Sequence, residues 1–246
     1  MNLRMASFSL VVRRWLRGRV CTPNTIRYRI EYRCIKKLLT KEGMAPGDLL
    51  DAGAGSGEMS RLLLQDGLCR KITGVEPFGP NYRLLVENWS DIPGAKTVQA
   101  SLEKLPLGDH SFDLVLSSQV FEHIEKHELA AQEVARVLRP GGYALISVPH
   151  PPEISPGEEH VRPGYTELEL RALMEPRGFQ FIAAEYFFTH YSVRRLFCTV
   201  ELPWLGWLVP PAWADREKNL SNEQRRAMTP YGMACLFQKS GKGKAK

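Results

Sequence analysis

The sequence predicts an α/β fold, in which buried strands alternate with helices. Two observations carry this. Short apolar runs recur between stretches of helical spacing: Leu49-Leu50, Ile72 to Val75, Leu114 to Leu116 and Ala144 to Val148. The first of these runs ends in an acid, and glycines then occupy alternate positions: Asp51-Ala52-Gly53-Ala54-Gly55-Ser56-Gly57-Glu58. Physically this is a buried strand entering a tight turn that opens a helix. Glycine tolerates positive φ and lets a ligand approach the backbone. The new helix presents unpaired N–H groups to an anionic or carboxylate-bearing ligand.

The glycine spacing separates two kinds of nucleotide site. A dinucleotide fingerprint is G-x-G-x-x-G. Here Gly53, Gly55 and Gly57 give G-x-G-x-G, and Glu58 stands where the third fingerprint glycine would fall. With Asp51 two residues ahead, the pattern resembles motif I of class I S-adenosylmethionine-dependent methyltransferases. Another nucleotide binder, or a glycine turn that binds nothing, is the alternative on this motif alone.

Length and composition suit one domain over 1–246, with a sizeable core. Five scattered cysteines without a C-x-x-C pair argue against a zinc site or disulfide framework and fit a reducing cytoplasm; no metal is expected. No cleavable signal peptide and no apolar run long enough to span a bilayer is read. The net charge of +6 is unevenly spread. Residues 1–40 hold ten Lys/Arg against Glu31, and 239–246 hold four Lys, which leaves 41–238 at −7. Basic ends around an acidic core suit an anionic surface, membrane or nucleic acid, or are solvated tails.

In chain order, residues 9–20 place Val11, Val12, Trp15 and Leu16 on one helical face and Arg13, Arg14 and Arg17 on the other. That reads equally as a membrane-surface helix and as a helix packed on the domain's own core. Thr22-Pro23-Asn24 is a helix start, and residues 25–39 carry i/i+4 apolar rows. Lys71 to Glu76 is a short strand ending in a carboxylate 19 residues after Gly57, placed to accept both ribose hydroxyls of a nucleoside. Residues 97–101 read as a third strand and Phe112 to Gln119 as a fourth. His127 to Leu138 is an amphipathic helix stopped by Arg139-Pro140-Gly141-Gly142, and Tyr143 to Val148 is a fifth strand. Thr166 with Glu169 forms a capping box for a helix through Met174. Phe179 to Phe187 and Tyr231 to Gln238 are the last two strands.

Three further segments extend the resemblance. Leu105-Pro106 to Phe112-Asp113 is similar to the L-P-F-x-D-x-S-F-D segment of the methyltransferase type 11 group, with Ser101 where that group usually has an Asp on the adenine amino group. Phe112 to His123 and Leu138 to Pro149 resemble its F-D-x-V-x-S-x-x-V-x-E-H and L-R-P-G-G-x-x-x-I-S-V-P segments. The resemblance covers about 48–150. It implies a Rossmann-like sheet of seven strands, mostly parallel with the last antiparallel, and helices on both faces. It implies S-adenosyl-L-methionine as cofactor, with Asp51, Ala52, Gly53, Gly55, Gly57, Glu76, Ser101, Leu102 and Ser117 around it. The parts are then a basic helical extension (1–43), a cofactor-binding core (44–189), an apolar insertion (190–229), and the last strand with a basic tail (230–246).

Methyl transfer from a sulfonium is an in-line displacement, so the protein supplies orientation and desolvation. An oxygen acceptor usually needs a base, and His is the natural one near neutral pH. His123, at the end of the fourth strand, and His160, on the loop after the fifth, are the candidates; His150 and Tyr165 lie in the same region. His123 reads equally as a residue that orients Glu122 and the turn. The insertion holds Pro203-Trp204-Leu205-Gly206-Trp207-Leu208, a segment that suits a bilayer interface, a greasy pocket wall or core. Together with the basic N-terminus it points to a small hydrophobic acceptor of lipid, quinone or natural-product type, met in the cytoplasm or peripherally at a membrane. A soluble small molecule is the alternative, as is a nucleic acid or protein reached through the basic ends. Against nucleic acid, no stacking platform is interleaved with the basic residues, and Ser117-Ser118-Gln119-Val120 stands where base methylators carry an Asn/Asp-Pro-Pro-Tyr-type tetrad. A non-catalytic relative keeping the fold is a third class, disfavoured by the intact glycines, Asp51 and Glu76. The oligomeric state is not legible.

Overall fold

The computed structural model describes residues 23–43, 47–77, 79–152, 160–189, 217 and 219–241. The basic helix expected over 9–20, the Trp-rich part of the insertion and the end of the basic tail lie outside the described residues.

Helix α1 (Pro23–Lys41) leads into β1 (Asp48–Ala52), α2 (Glu58–Gln65), β2 (Lys71–Glu76), α3 (Pro80–Trp89) and β3 (Lys96–Gln99). Strand β4 (Phe112–Ser118), a 3₁₀ turn (Phe121–His123), α4 (His127–Val137) and β5 (Leu138–Pro149) follow. Then come α5 (Glu167–Met174), β6 (Phe179–Thr189), α6 (Asn222–Ala227) and β7 (Pro230–Lys239). The sheet order is β3-β2-β1-β4-β5-β7-β6. Strands β1 to β5 pair in parallel, and β7 lies antiparallel between β5 and β6. This is the seven-stranded Rossmann-like sheet with its last strand reversed.

Alternation along each strand sends neighbours into different cores. Leu49, Leu114, Leu116 and Leu145 join Ile35, Leu38, Leu63, Leu85 and Trp89 on the face covered by α1, α2 and α3. Leu50, Val115, Ala144 and Ile146 join Val134, Val137, Leu170 and Met174 on the face covered by α4 and α5. The sheet is buried on both faces, which is why its parallel strands read as continuous apolar runs.

Two boundaries and one helix differ from the sequence expectation. Arg139 to Gly142 does not separate helix from strand: β5 starts at Leu138, directly after α4. The extra residues form an irregularity in the β4–β5 pairing, where Phe112 faces Leu138 and Leu114 faces Tyr143. The glycines serve a bulge, with Gly141 at φ 79°. Strand β3 ends at Gln99, so Ser101 sits on the loop beyond it. Helix α3 was not expected, although Pro80 in its first turn is a helix-start signal. Among the described residues no helix is long and apolar enough to cross a membrane.

Candidate active site

The strand order reverses beside β1: β2 and β3 lie on one side of it, β4 and β5 on the other. In such sheets the crevice opens at the carboxyl ends of the strands flanking that point. A cavity of about 730 Å³ lies there, a size that encloses a drug-sized ligand. Its wall divides along the sheet. From the β1–β3 half come Asp51, Gly53, Gly55, Glu76, Ser101 and Leu102; from the β4, β5 and β7 side come Val120, Glu122, His123, Ile124, His160 and Tyr231.

The glycine turn is built by close contacts. Gly53, Gly55 and Gly57 all have positive φ (83°, 55° and 75°). The amides of Gly53 and Ala54 both donate to the Val75 carbonyl, at 2.8 and 2.9 Å, which folds the turn back over the end of β2. A Cβ on Gly53 would overlap the Val120 side chain, and one on Gly57 would overlap Trp89 and Leu85. A Cβ on Gly55 would meet nothing within 4 Å, so this backbone faces open cavity. Trp89 holds the turn from behind: its indole N–H donates to the Gly57 carbonyl at 3.0 Å, and its ring fills the space a Cβ on Gly74 would need.

Two carboxylates frame the turn. Glu76, the last residue of β2, accepts the Gly55 N–H at 2.9 Å. Burial raises its pKa, while that N–H, the Asn81 amide and the nearby His123 pull it back down. Asp51 is 2 % exposed and accepts the Ser60 hydroxyl. Burial pushes its carboxyl up to about 7; the Ser60 hydroxyl opposes this, and repulsion from Glu76 adds to it.

The other expected residues fall into two groups. Ser101, Leu102, His123 and His160 line the cavity. Ala52, Gly57 and Ser117 sit one layer behind it: Ser117 is fully buried, and its hydroxyl donates to the Ala52 carbonyl at 3.0 Å, tying β4 to β1. His150 and Tyr165 are outside the cavity. The His150 ring lies edge-on to Tyr186, with burial lowering its pKa. The Tyr165 hydroxyl is 2.6 Å from His127 Nδ1.

The structure adds Asn81, Gln119, Val120, Glu122 and Tyr231 to the wall. Gln119 has φ 56° and its amide donates to the Ser147 carbonyl at 2.8 Å, which turns the chain sharply after β4. A Gln at positive φ has no sequence signature. Glu122 is fully buried on the 3₁₀ turn. It stands beside His123, and one donor atom from each of Glu122, His123 and His160 lies within 4.8 Å of the others.

Residues 50–146 match the family model described as a methyltransferase domain. Over 138 residues the chain is 32 % identical to a protein of Mycolicibacterium smegmatis described as a probable S-adenosylmethionine-dependent methyltransferase, covering 54 % of this chain and 52 % of that one. It is 35 % identical over 105 residues to the malonyl-[acyl-carrier protein] O-methyltransferase of Methylococcus capsulatus, covering 43 % and 38 %. The chain thus spans about half or less of the length of these curated relatives. A solved S-adenosylmethionine-dependent methyltransferase of Thermotoga maritima superposes with a TM-score of 0.60 at 19 % identity, covering 95 % of this chain and 97 % of that one. That likeness establishes the fold. The matched segment contributes most of β1, all of β2 to β4, most of β5 and the loops between them, and so most of the cavity wall.

Proposed function

We propose that this protein is an S-adenosylmethionine-dependent methyltransferase acting on a small, hydrophobic acceptor. The observation that carries the reading is the pairing of Glu76 with the Gly55 N–H at 2.9 Å, at the mouth of a turn whose backbone faces open cavity. An acid at the end of β2 suits the two ribose hydroxyls of a nucleoside, and Gly55 leaves room for the ligand against the chain. Ser101 and Leu102, which line the cavity beyond β3, would meet the adenine edge. Asp51, ionised, offers a negative charge to an ammonium group held beside the turn.

When bound, the cofactor would supply an activated methyl group on a sulfonium. The protein's part is to hold the acceptor in line and exclude water. The acceptor-side wall suits this: Val120, Ile124 and Tyr231 give it apolar surface, and His123 and His160 stand where an acceptor proton would leave. The Trp-rich insertion and the basic N-terminus, read from sequence, favour an acceptor of lipid, quinone or natural-product type, met by peripheral contact with an anionic membrane.

Calorimetric titration with S-adenosylhomocysteine tests the cofactor. Wild type is expected to bind at micromolar affinity and Glu76→Ala to bind at least tenfold more weakly while remaining folded. Absence of binding by the wild type sinks the reading. Flotation with anionic vesicles, combined with turnover assays on lipophilic acceptors, tests the finer part. No vesicle binding together with no turnover of such acceptors removes the hydrophobic substrate.

A further inference from the structure

The acceptor side of the cavity holds a donor set that the cofactor does not need. Glu122 is fully buried, His123 has a side chain 37 % exposed, and His160 is half-buried. Nε2 of His123 is 4.0 Å from Oε1 of Glu122. The two imidazole rings meet edge to face with centroids 4.6 Å apart. One donor atom from each of the three residues lies within 4.8 Å of the others.

These residues come from segments about 40 positions apart, and the fold locks the segments together. The Val161 N–H donates to the Glu122 carbonyl at 3.0 Å. Arg162 reaches across and donates to the carbonyls of Phe121 and Ile124, both at 2.6 Å, and of Glu125 at 3.1 Å. His160 is thereby fixed beside Glu122 and His123 by backbone contacts that do not involve the three side chains.

We propose that Glu122, His123 and His160 form a binding site for a first-row divalent transition ion such as Zn²⁺. Two imidazoles and one carboxylate are a donor set such ions accept, with further coordination positions left open. Metal–nitrogen and metal–oxygen bonds of about 2.0–2.2 Å require donors within roughly 4 Å of one another. The observed donors, all within 4.8 Å of one another, come close to that spacing, and the His123 side chain, 37 % exposed, is the least confined of the three. The carboxylate balances part of the ion's charge in a buried setting. The open positions face the cavity. There, resting on the methyl-transfer reading, an acceptor hydroxyl would coordinate and pass its proton to water, and its oxygen would bond to the methyl carbon as the sulfur–methyl bond breaks and S-adenosylhomocysteine leaves. On this assignment the two histidines are ligands rather than proton acceptors.

The test is equilibrium dialysis of the full chain, first stripped with chelator, against Zn²⁺ in the presence of a weak competing chelator. One equivalent is expected to be retained. His123→Ala and His160→Ala should each weaken retention at least tenfold, and Glu122→Gln should weaken it too, while His150→Ala, an imidazole outside the cluster, retains the ion. Co²⁺ substitution gives a second readout, visible absorption bands that disappear in the two histidine variants. Failure to retain an equivalent, or wild-type retention in either His123→Ala or His160→Ala, overturns the proposal. S-adenosylhomocysteine titration on the same samples separates this site from the cofactor reading, because either can fail while the other stands.

Discussion

The three glycines of the turn look equivalent in sequence and do different work. At Gly57 the missing Cβ makes room for Trp89 and Leu85, whereas at Gly55 it keeps the cavity open. Both have positive φ, so alanine adds strain of about 1 kcal/mol at either position. Gly55→Ala is therefore expected to lower the melting temperature by only a few degrees yet weaken S-adenosylhomocysteine binding at least tenfold. Gly57→Ala must also displace the indole, and overpacking adds about 1–3 kcal/mol, so its melting temperature should fall well below that of Gly55→Ala. Thermal unfolding with calorimetry on both variants checks the contrast. Asp51 supplies a second prediction. Its carboxyl is pushed up to about 7 in the folded chain, above the ordinary carboxylate value of the unfolded one. Between those values the folded state binds the extra proton, so this group costs stability as pH rises toward 7 and the full cost is present above it. Asp51→Asn keeps an acceptor for Ser60 and removes that cost. The variant should match wild type near pH 4 and gain on it by about 4 kcal/mol at pH 8, read from denaturant unfolding at the two pH values.

At the scale of elements, the cavity depends on short segments pinned by a few polar groups. Trp89, at the end of α3, reaches the Gly57 carbonyl at 3.0 Å and so fixes the glycine turn from a helix two elements away. Trp89→Phe keeps most of the ring and loses this bond; a cost of about 1 kcal/mol is expected, with faster amide exchange confined to 53–60. Arg162 does the same for the loop after β4. Its guanidinium satisfies the carbonyls of Phe121, Ile124 and Glu125 at once. Arg162→Ala removes these donors, leaving Phe121 only its longer bonds from the Ile124 amide and the Tyr165 hydroxyl, and hydrogen exchange should rise across 121–125 and 160–165 with the sheet unchanged. Protection equal to wild type in those segments would show that the loop is held otherwise.

Across the molecule, a buried ionic network joins elements far apart in the chain. Arg225 on α6 meets Glu185 on β6 at 3.3 Å and donates to the carbonyls of Tyr186 and Leu220 at 3.2 and 2.8 Å. Glu185 also meets Lys37 on α1 at 2.6 Å. Glu217 accepts from the Thr189 amide and hydroxyl at 2.7 and 2.6 Å, and its carbonyl accepts from Arg225 at 3.4 Å. The end of the insertion is thus tied to the sheet edge and to α1. Removing one partner of a buried pair leaves the other poorly compensated, typically by about 3–5 kcal/mol. Lys37 remains beside Glu185, so Arg225→Ala is expected near 3 kcal/mol, with the loss seen in global unfolding. A loss below about 1 kcal/mol would mean that the network is replaceable by solvent.

The sequence by itself determined the sheet and the glycine-turn half of the cavity. Strands buried on both faces must be apolar throughout, and a turn that opens a helix against a ligand must be rich in glycine. Leu49 to Glu58 and Lys71 to Glu76 therefore announced β1, its turn and β2 with little room for another arrangement. Capping chemistry did the same for α5, where Thr166 and Glu169 satisfy each other's backbone donors. Only the tertiary structure decided which residues face the cavity. Ala52, Gly57 and Ser117 lie within the recognisable segments, yet the strand alternation and Trp89 put them behind the wall. Gln119 turns at a positive φ that its side chain does not signal, and Arg162 brings His160 beside Glu122 and His123 from about 40 residues away. Local patterns encode backbone conformation and the side of burial. The meeting of side chains across the sheet depends on pairing, register and long-range clamps, which no short stretch of sequence contains.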